Sequence, residues 1–255
     1  MIVYIKVSQE GYPETETEYT ALQGFRDLGC DIKFFNSEVE LSDWRPDRII
    51  VGGKTIIRKK LGEYDIHPID YDYPNELSAF LGRNIWEDSL NNVLSTPDKW
   101  PVFVKPIKNK AFIGFVLNDK DNIPRLRGAR PDEPVICSEV VEFLSEYRAF
   151  ARYGSIWDVR PYKGDWHIQF DPNTIETVVN TYKEILAGCA LDFGVTQDGR
   201  TLLVEVNDGY SLGSYGADPI EYAKMLSARW CELVGIHDEC DTYHEANDWR
   251  RLQNT

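Results

Sequence analysis

The sequence predicts an α/β plus α+β protein, with a small parallel α/β unit leading into a larger, mostly antiparallel part. Three observations predict it. Strand-like and helix-like runs alternate over residues 2–51, the pattern of a parallel unit with a crossover helix. After Thr96 the apolar runs become short and extended. Near the end, residues 190–207 read as one hairpin with an apolar face and an acidic face. The 255 residues, 42% hydrophobic and 13% aromatic, are enough for a real core in one or two domains.

Taken in order, residues 2–7 read as a strand, 17–28 as a helix stopped at Gly29, and 31–35 and 47–51 as strands. Residues 62–74, rich in Asp, Tyr and Pro, read as a connection. Residues 75–94 have helical spacing, with Leu77, Phe80, Leu81, Ile85, Leu90 and Leu94 apolar. Extended runs follow at 102–105, 111–117, 135–138, 146–152 and 157–161. A helix is expected at 174–187, strands at 191–196 and 201–207, and a last helix at 220–233. The expected divisions are 1–74, 75–137, 138–235 and a polar tail at 236–255.

The charge balance is 28 basic against 42 acidic residues, a net of −14. That excess argues against a nucleic-acid partner, which needs clustered cations for phosphates, and against a basic membrane-surface helix. No run is apolar and long enough to span a membrane, and the start lacks the pattern of a signal peptide. The five cysteines, Cys30, Cys137, Cys189, Cys231 and Cys240, are widely spaced and without a CxxC, which fits reduced thiols in the cytoplasm.

Three chemical signals fail. Gly52-Gly53-Lys54-Thr55 ends like a phosphate loop, but the required earlier glycine is Arg48, so the segment reads as a turn after a strand. His237, Cys240, His244 and nearby Cys231 lack the tight ligand pairs of a zinc site and read as a solvated tail. No GxSxG marks a nucleophile.

The hairpin is the strongest signal. A two-residue Asp198-Gly199 turn pairs residues whose numbers sum to 397, so Leu191 faces Val206, Phe193 faces Val204 and Val195 faces Leu202. The other face then sets Asp192 against Glu205, with Asn207 two residues further on. Opposed like charges repel. Either water screens them, or a hard cation such as Mg²⁺ offsets the repulsion.

Those residues, Glu205-Val-Asn207 with an Asp on the preceding strand, resemble the metal-binding end of the ATP-grasp ligases. Residues 100–106, Trp-Pro-Val-Phe-Val-Lys-Pro, resemble the strand whose Lys contacts nucleotide phosphate. Residues 139–150 resemble the adenine and ribose hinge. The resemblance covers about residues 97–215, and is closest to a small clade of predicted ATP-grasp amidoligases from bacteria and their viruses. It implies an ATP-grasp fold with a pre-ATP-grasp-like first domain, ATP and Mg²⁺ as cofactors, and ligation of small-molecule or peptide carboxylates to amines. By the same resemblance Lys105 meets phosphate oxygens and Glu139, Val140 and Val141 meet adenine. Glu146 takes the ribose, and Asp192, Glu205 and Asn207 hold Mg²⁺.

The chain departs from the family at three points. The Arg expected two residues before the first metal Asp is Ala190, which leaves Arg148, or less strongly Arg160, to steady the transferring phosphate or a substrate carboxylate. The flap at 107–114 offers one Gly, with Lys108 and Lys110 as substitutes. A second phosphate-side Lys is missing, and Arg83 is the nearest match. A kinase-like transfer on the same nucleotide site, or a nucleotide-binding protein without catalysis, remains open, as does a homodimer.

Overall fold

The computed structural model describes residues 1–70, 72–107, 111–126 and 128–241. In chain order its elements are β1 (Ile2–Lys6), α1 (Glu16–Asp27), β2 (Asp31–Phe35), β3 (Ile49–Val51), α2 (Lys54–Gly62), β4 (Ile85–Ser89), α3 (Leu90–Ser95), β5 (Val102–Pro106), β6 (Phe115–Leu117) and β7 (Pro134–Ser138). There follow β8 (Phe143–Arg152), β9 (Ser155–Gly164), α4 (Pro172–Thr181), β10 (Gly188–Thr196), β11 (Thr201–Asp208) and α5 (Pro219–Val234). They gather into two compact bodies, residues 1–80 with residues 144–241, and residues 81–143.

The first body holds two sheets. One is parallel, in the order β2-β1-β3, and one is antiparallel, in the order β11-β10-β8-β9. β1 lies in the middle of the parallel sheet, and Val3, Tyr4 and Ile5 are all buried, which explains its unbroken apolar run. One core joins Val3, Ile5, Phe25 and Ile50 of the first sheet and its helix to Phe150, Tyr222, Met225 and Trp230 further along the chain. The Trp230 indole donates to the Pro46 carbonyl at 2.9 Å and meets Trp44 edge-on, with centroids 6.1 Å apart. Helix α5 starts where the Asp218 side chain accepts from the amides of Ile220 and Glu221, with Pro219 in its first turn. It packs tightly on α1: a Cβ at Gly24 would lie 1.8 Å from the Pro219 oxygen.

The second body is one antiparallel sheet, β4-β7-β5-β6. Leu90, Val93, Val102, Val104, Phe115, Leu117, Val135 and Cys137 form its core. Val102 and Val104 point into that core, which leaves Phe103 and Lys105 on the opposite face of β5.

Several expectations are corrected. Residues 75–94 are not one helix but a 3₁₀ segment at Asn75–Phe80, then β4 and α3. Pairing of β4 with β7, from Ile85 opposite Ser138 to Ser89 opposite Pro134, overrides the helical spacing. The strand expected at 111–117 shortens to β6, and the helix at 174–187 to α4, which the Asp171 side chain caps. Helix α2 begins directly after Gly53, where the sequence suggests only a turn.

The hairpin differs in detail. Its loop has three residues: the Thr196 amide donates to Arg200 O at 3.0 Å, and Gly199 takes a positive φ of 81°. Phe193 therefore faces Leu203 and Val195 faces Thr201, not Val204 and Leu202. A shift between Asp192 and Phe193 then restores the expected register, so Asp192 does face Glu205 and Leu191 does face Val206.

Among the described residues no helix is long and apolar enough to cross a membrane. His244 and most of the polar tail lie outside the described residues.

Candidate active site

The antiparallel sheet of the first body sets five chemically active side chains on neighbouring strands. β8 carries Glu146 and Arg148, its neighbour β10 carries Asp192, and β11 carries Glu205 and Asn207. Arg148 forms a two-pronged pair with Asp192, Nε to Oδ1 at 2.7 Å and Nη2 to Oδ2 at 2.8 Å. Both groups are buried, at 6% and 3% exposure. Asn207 adds a third bond, Nδ2 to Asp192 Oδ2 at 3.1 Å. Because the Asn207 nitrogen is turned to Asp192, its Oδ1 is turned away and can accept from elsewhere. Glu205 and Asn207 are half-buried, between the sealed Asp192 and solvent.

The charges explain the titration of the site. Burial pushes the Asp192 carboxyl up, the hydrogen bonds and charge of Arg148 pull it down, and the charges of Glu205 and Glu146 push it up further, for a net rise. Burial disfavours the Arg148 cation, but the bonds and charge of Asp192 outweigh that and raise its pKa. Asp192 thus feels two other carboxylates as well as one guanidinium.

Two tyrosines cover Arg148. Its Cζ lies 4.9 Å from the Tyr215 ring centroid and 5.9 Å from that of Tyr162, and the two rings stack at 5.1 Å. Arg148 Nη1 donates to Gly213 O at 3.4 Å. Tyr162 Oη donates to Glu146 at 2.8 Å, and Lys163 forms an ion pair with the same carboxylate. Burial, then the charges of Asp192 and Glu146, raise the Tyr162 hydroxyl. Tyr215 lies in the Gly-rich run at 208–216, and sequence reasoning misses Tyr162 and Lys163. The signal for Tyr162 is alternation along β9, where it lies two residues from Arg160, whereas Lys163 comes opposite Glu146 only through a shift in the register.

Arg160 stands opposite Arg148 in the register, so both share a sheet face. Its Nε is on Asp158 Oδ2 at 2.6 Å, and among the described residues its terminal nitrogens have no other partner.

In the second body, Glu139 accepts from the Asn84 amide and the Asn84 side chain, both at 2.9 Å. Those bonds, the backbone one first, lower its pKa. Val140 is exposed and Val141 half-buried. Arg83 donates to Leu81 O at 2.9 Å and lies over the Phe143 ring. Lys105 faces away from the core, and Gly114 lies close enough that a Cβ there would be 2.9 Å from the Lys105 Cβ. Lys108 and Lys110 lie outside the described residues.

The loop after β11 is tied down at most of its positions. Arg229 grips Asp208 at 2.6 and 2.7 Å, Arg58 donates to Tyr210 Oη at 2.7 Å, and Ser211 Oγ donates to Gly52 O at 2.9 Å. Tyr222 Oη donates to Leu212 O at 2.6 Å, and the Gly216 amide to Glu16 at 2.7 Å. Tyr215 is therefore held over Arg148 by a braced loop.

Among the described residues no three His, Cys, Asp or Glu side chains gather as a metal cluster. The acidic edge offers a different donor set, two carboxylates and an amide oxygen. That set fits Mg²⁺, which takes one or two carboxylates and keeps several waters. The half-buried Glu205 and Asn207 oxygens suit it best, because Arg148 already engages both Asp192 oxygens.

Solved structures share the fold at low identity. A D-cycloserine synthetase, DcsG, matches over 90% of this chain and 100% of its own at 12% identity, with a TM-score of 0.58. A RimK domain ATP-grasp protein from Sphaerobacter thermophilus matches over 89% and 98% at 12% identity and 0.59. A D-alanine–D-alanine ligase from Bacillus anthracis matches over 92% and 99% at 13% identity and 0.54. No curated protein matches the chain. Residues 80–225 match the model of an ATP-grasp domain family, the second family of one clade of that fold, and the chain, with its acidic hairpin edge inside that span, belongs to this ATP-grasp family.

Proposed function

We propose that this protein is an ATP- and Mg²⁺-dependent carboxylate–amine ligase that forms an amide or peptide bond through an acyl phosphate. The observation that carries this reading is the edge where Asp192 faces Glu205 beside Asn207, held in place by buried Arg148. Family membership supports the nucleotide, and the likeness to a D-cycloserine synthetase and a D-alanine–D-alanine ligase supports the ligase class.

Each residue has a role in this reading. Lys105 places its charge on phosphate oxygens, with Arg83 and Lys110 as further cations. Val140 and Val141 present backbone to adenine, and Glu139, occupied by Asn84, orients them. Glu146, steadied by Tyr162 and Lys163, accepts from the ribose hydroxyls. Glu205 and Asn207, with Asp192 behind them, hold Mg²⁺, which when bound offsets phosphate charge. Arg148 is a positioning residue: each of its three nitrogens donates to Asp192 or Gly213. Arg160, with terminal nitrogens to spare, grips the substrate carboxylate or the phosphate in transfer. The carboxylate oxygen bonds to the γ-phosphorus as the bond to ADP breaks. An amine then bonds to the acyl carbon as phosphate leaves. The acid and the amine are small molecules or peptides, met in the cytoplasm.

The test is ADP release with pooled amino acids and peptides, with hydroxylamine added to trap acyl phosphate. Hydroxamate formation is expected. Phosphate left on the acceptor would instead identify a kinase, and tight ATP binding without turnover would identify a non-catalytic binder. Glu205→Gln, which keeps the size of the side chain, is expected to abolish Mg²⁺-dependent turnover. Full activity in that variant overturns the metal assignment.

A further inference from the structure

Cys30 and Cys240 meet at the edge of the chain's first body. Cys30 lies directly before β2, with its amide on Phe25 O at 3.0 Å. Cys240 follows α5, and its amide donates to Asp238 at 3.0 Å. Asp238 is itself buried and accepts from Ser227 Oγ and, at 2.9 Å, from Tyr153 Oη, so the turn that carries Cys240 is anchored. Both cysteines line a small cleft of about 90 Å³ with Met1, Leu28, Gly29 and Glu239. Cys30 is partly exposed to that cleft, whereas Cys240 is sealed behind it.

We infer that Cys30 and Cys240 are an oxidisable dithiol, which a peroxide or a disulfide oxidant closes into a bond tying the segment after α5 to the turn before β2. The remaining cysteines do not compete. Cys137, Cys189 and Cys231 are buried, and burial pushes each thiol up to about 12. At Cys30 the hydrogen bond from Cys240 lowers the thiol to about 7, against the opposing effects of burial and of the Glu239 and Asp238 charges. That shift favours the thiolate, which is the reactive form.

The chemistry balances. The Cys30 thiolate attacks a peroxide oxygen, the O–O bond breaks, and a sulfenic acid forms as hydroxide leaves and is protonated to water. The Cys240 sulfur then attacks the Cys30 sulfur, the S–O bond breaks, and the departing hydroxide takes the Cys240 proton. The two thiols lose two electrons and two hydrogens, and the peroxide gains both to leave as water. With a disulfide oxidant, the same two steps release two thiols instead.

The full chain is treated with hydrogen peroxide or with oxidised glutathione, and intact mass and peptide maps are read. A loss of two hydrogens is expected, with a Cys30–Cys240 cross-linked peptide as the main product. Cys137→Ser is expected to keep that product, and Cys30→Ser and Cys240→Ser to lose it. In the reduced protein, the pH midpoint of Cys30 alkylation is expected to rise in Cys240→Ser. The inference is overturned if oxidised wild-type protein carries a stable glutathione or sulfinic adduct on Cys30 without the cross-link. It is also overturned if the alkylation midpoint is the same with and without Cys240. Neither readout depends on ligase activity.

Discussion

At Asp192 burial disfavours the charged carboxylate, and the net effect is a raised pKa. Arg148 opposes that rise through two hydrogen bonds in one plane. Removing one partner of a buried ion pair leaves the other charge uncompensated, which costs about 3–5 kcal/mol. Arg148→Met is therefore expected to lower stability by about that much, read as a shift in the urea midpoint. Arg148→Met with Asp192→Leu is expected to recover most of the loss, because no lone charge remains. Equal loss in the single and double variants would show that the pair contributes through packing alone. Counting along two strands is enough to place Asp192, Glu205 and Asn207 together. The sequence also puts Arg148 on the face of Glu146 but does not pair it with Asp192, because that contact joins residues 44 apart across neighbouring strands.

The hairpin and the paired helices show what local pattern can and cannot settle at the scale of an element. The alternation in β10 and β11 is legible, and so is the acidic face. The loop length is not, because the Asp-Gly pair suits both a two-residue turn and the last part of a three-residue one. The one-residue difference is taken up by the shift beside Asp192, so the face that matters comes out as expected. Residues 75–94 mislead in the opposite way: their helical spacing belongs to three short elements, one of them a strand that exists through its partner β7. Between helices, Gly24 is the point of closest approach. Gly24→Ala is expected to destabilise the fold by about 1–3 kcal/mol through overpacking, although alanine favours helix elsewhere. A melting temperature at or above that of the wild type would show that α1 and α5 can separate without loss.

Across the whole molecule, the parallel sheet and the residues from Phe150 to Trp230 share one core. Trp230→Ala removes a fully buried ring between them and is expected to cost about 3–5 kcal/mol. Amide hydrogen exchange is expected to quicken together in β1 and in α5, because both lose the same contacts. Faster exchange in α5 with β1 unchanged would mean that the two regions open separately. By itself the sequence determined the order of most elements, the acidic hairpin edge and the family resemblance, because each is written in spacing along a short stretch of chain. Only the tertiary structure decided that Arg148 is bound to Asp192 while Arg160 keeps donors to spare, that two tyrosines cover the guanidinium, and that Cys30 and Cys240 line one cleft. Those are contacts between residues remote in sequence, and folding brings them together through a core whose packing no local period encodes.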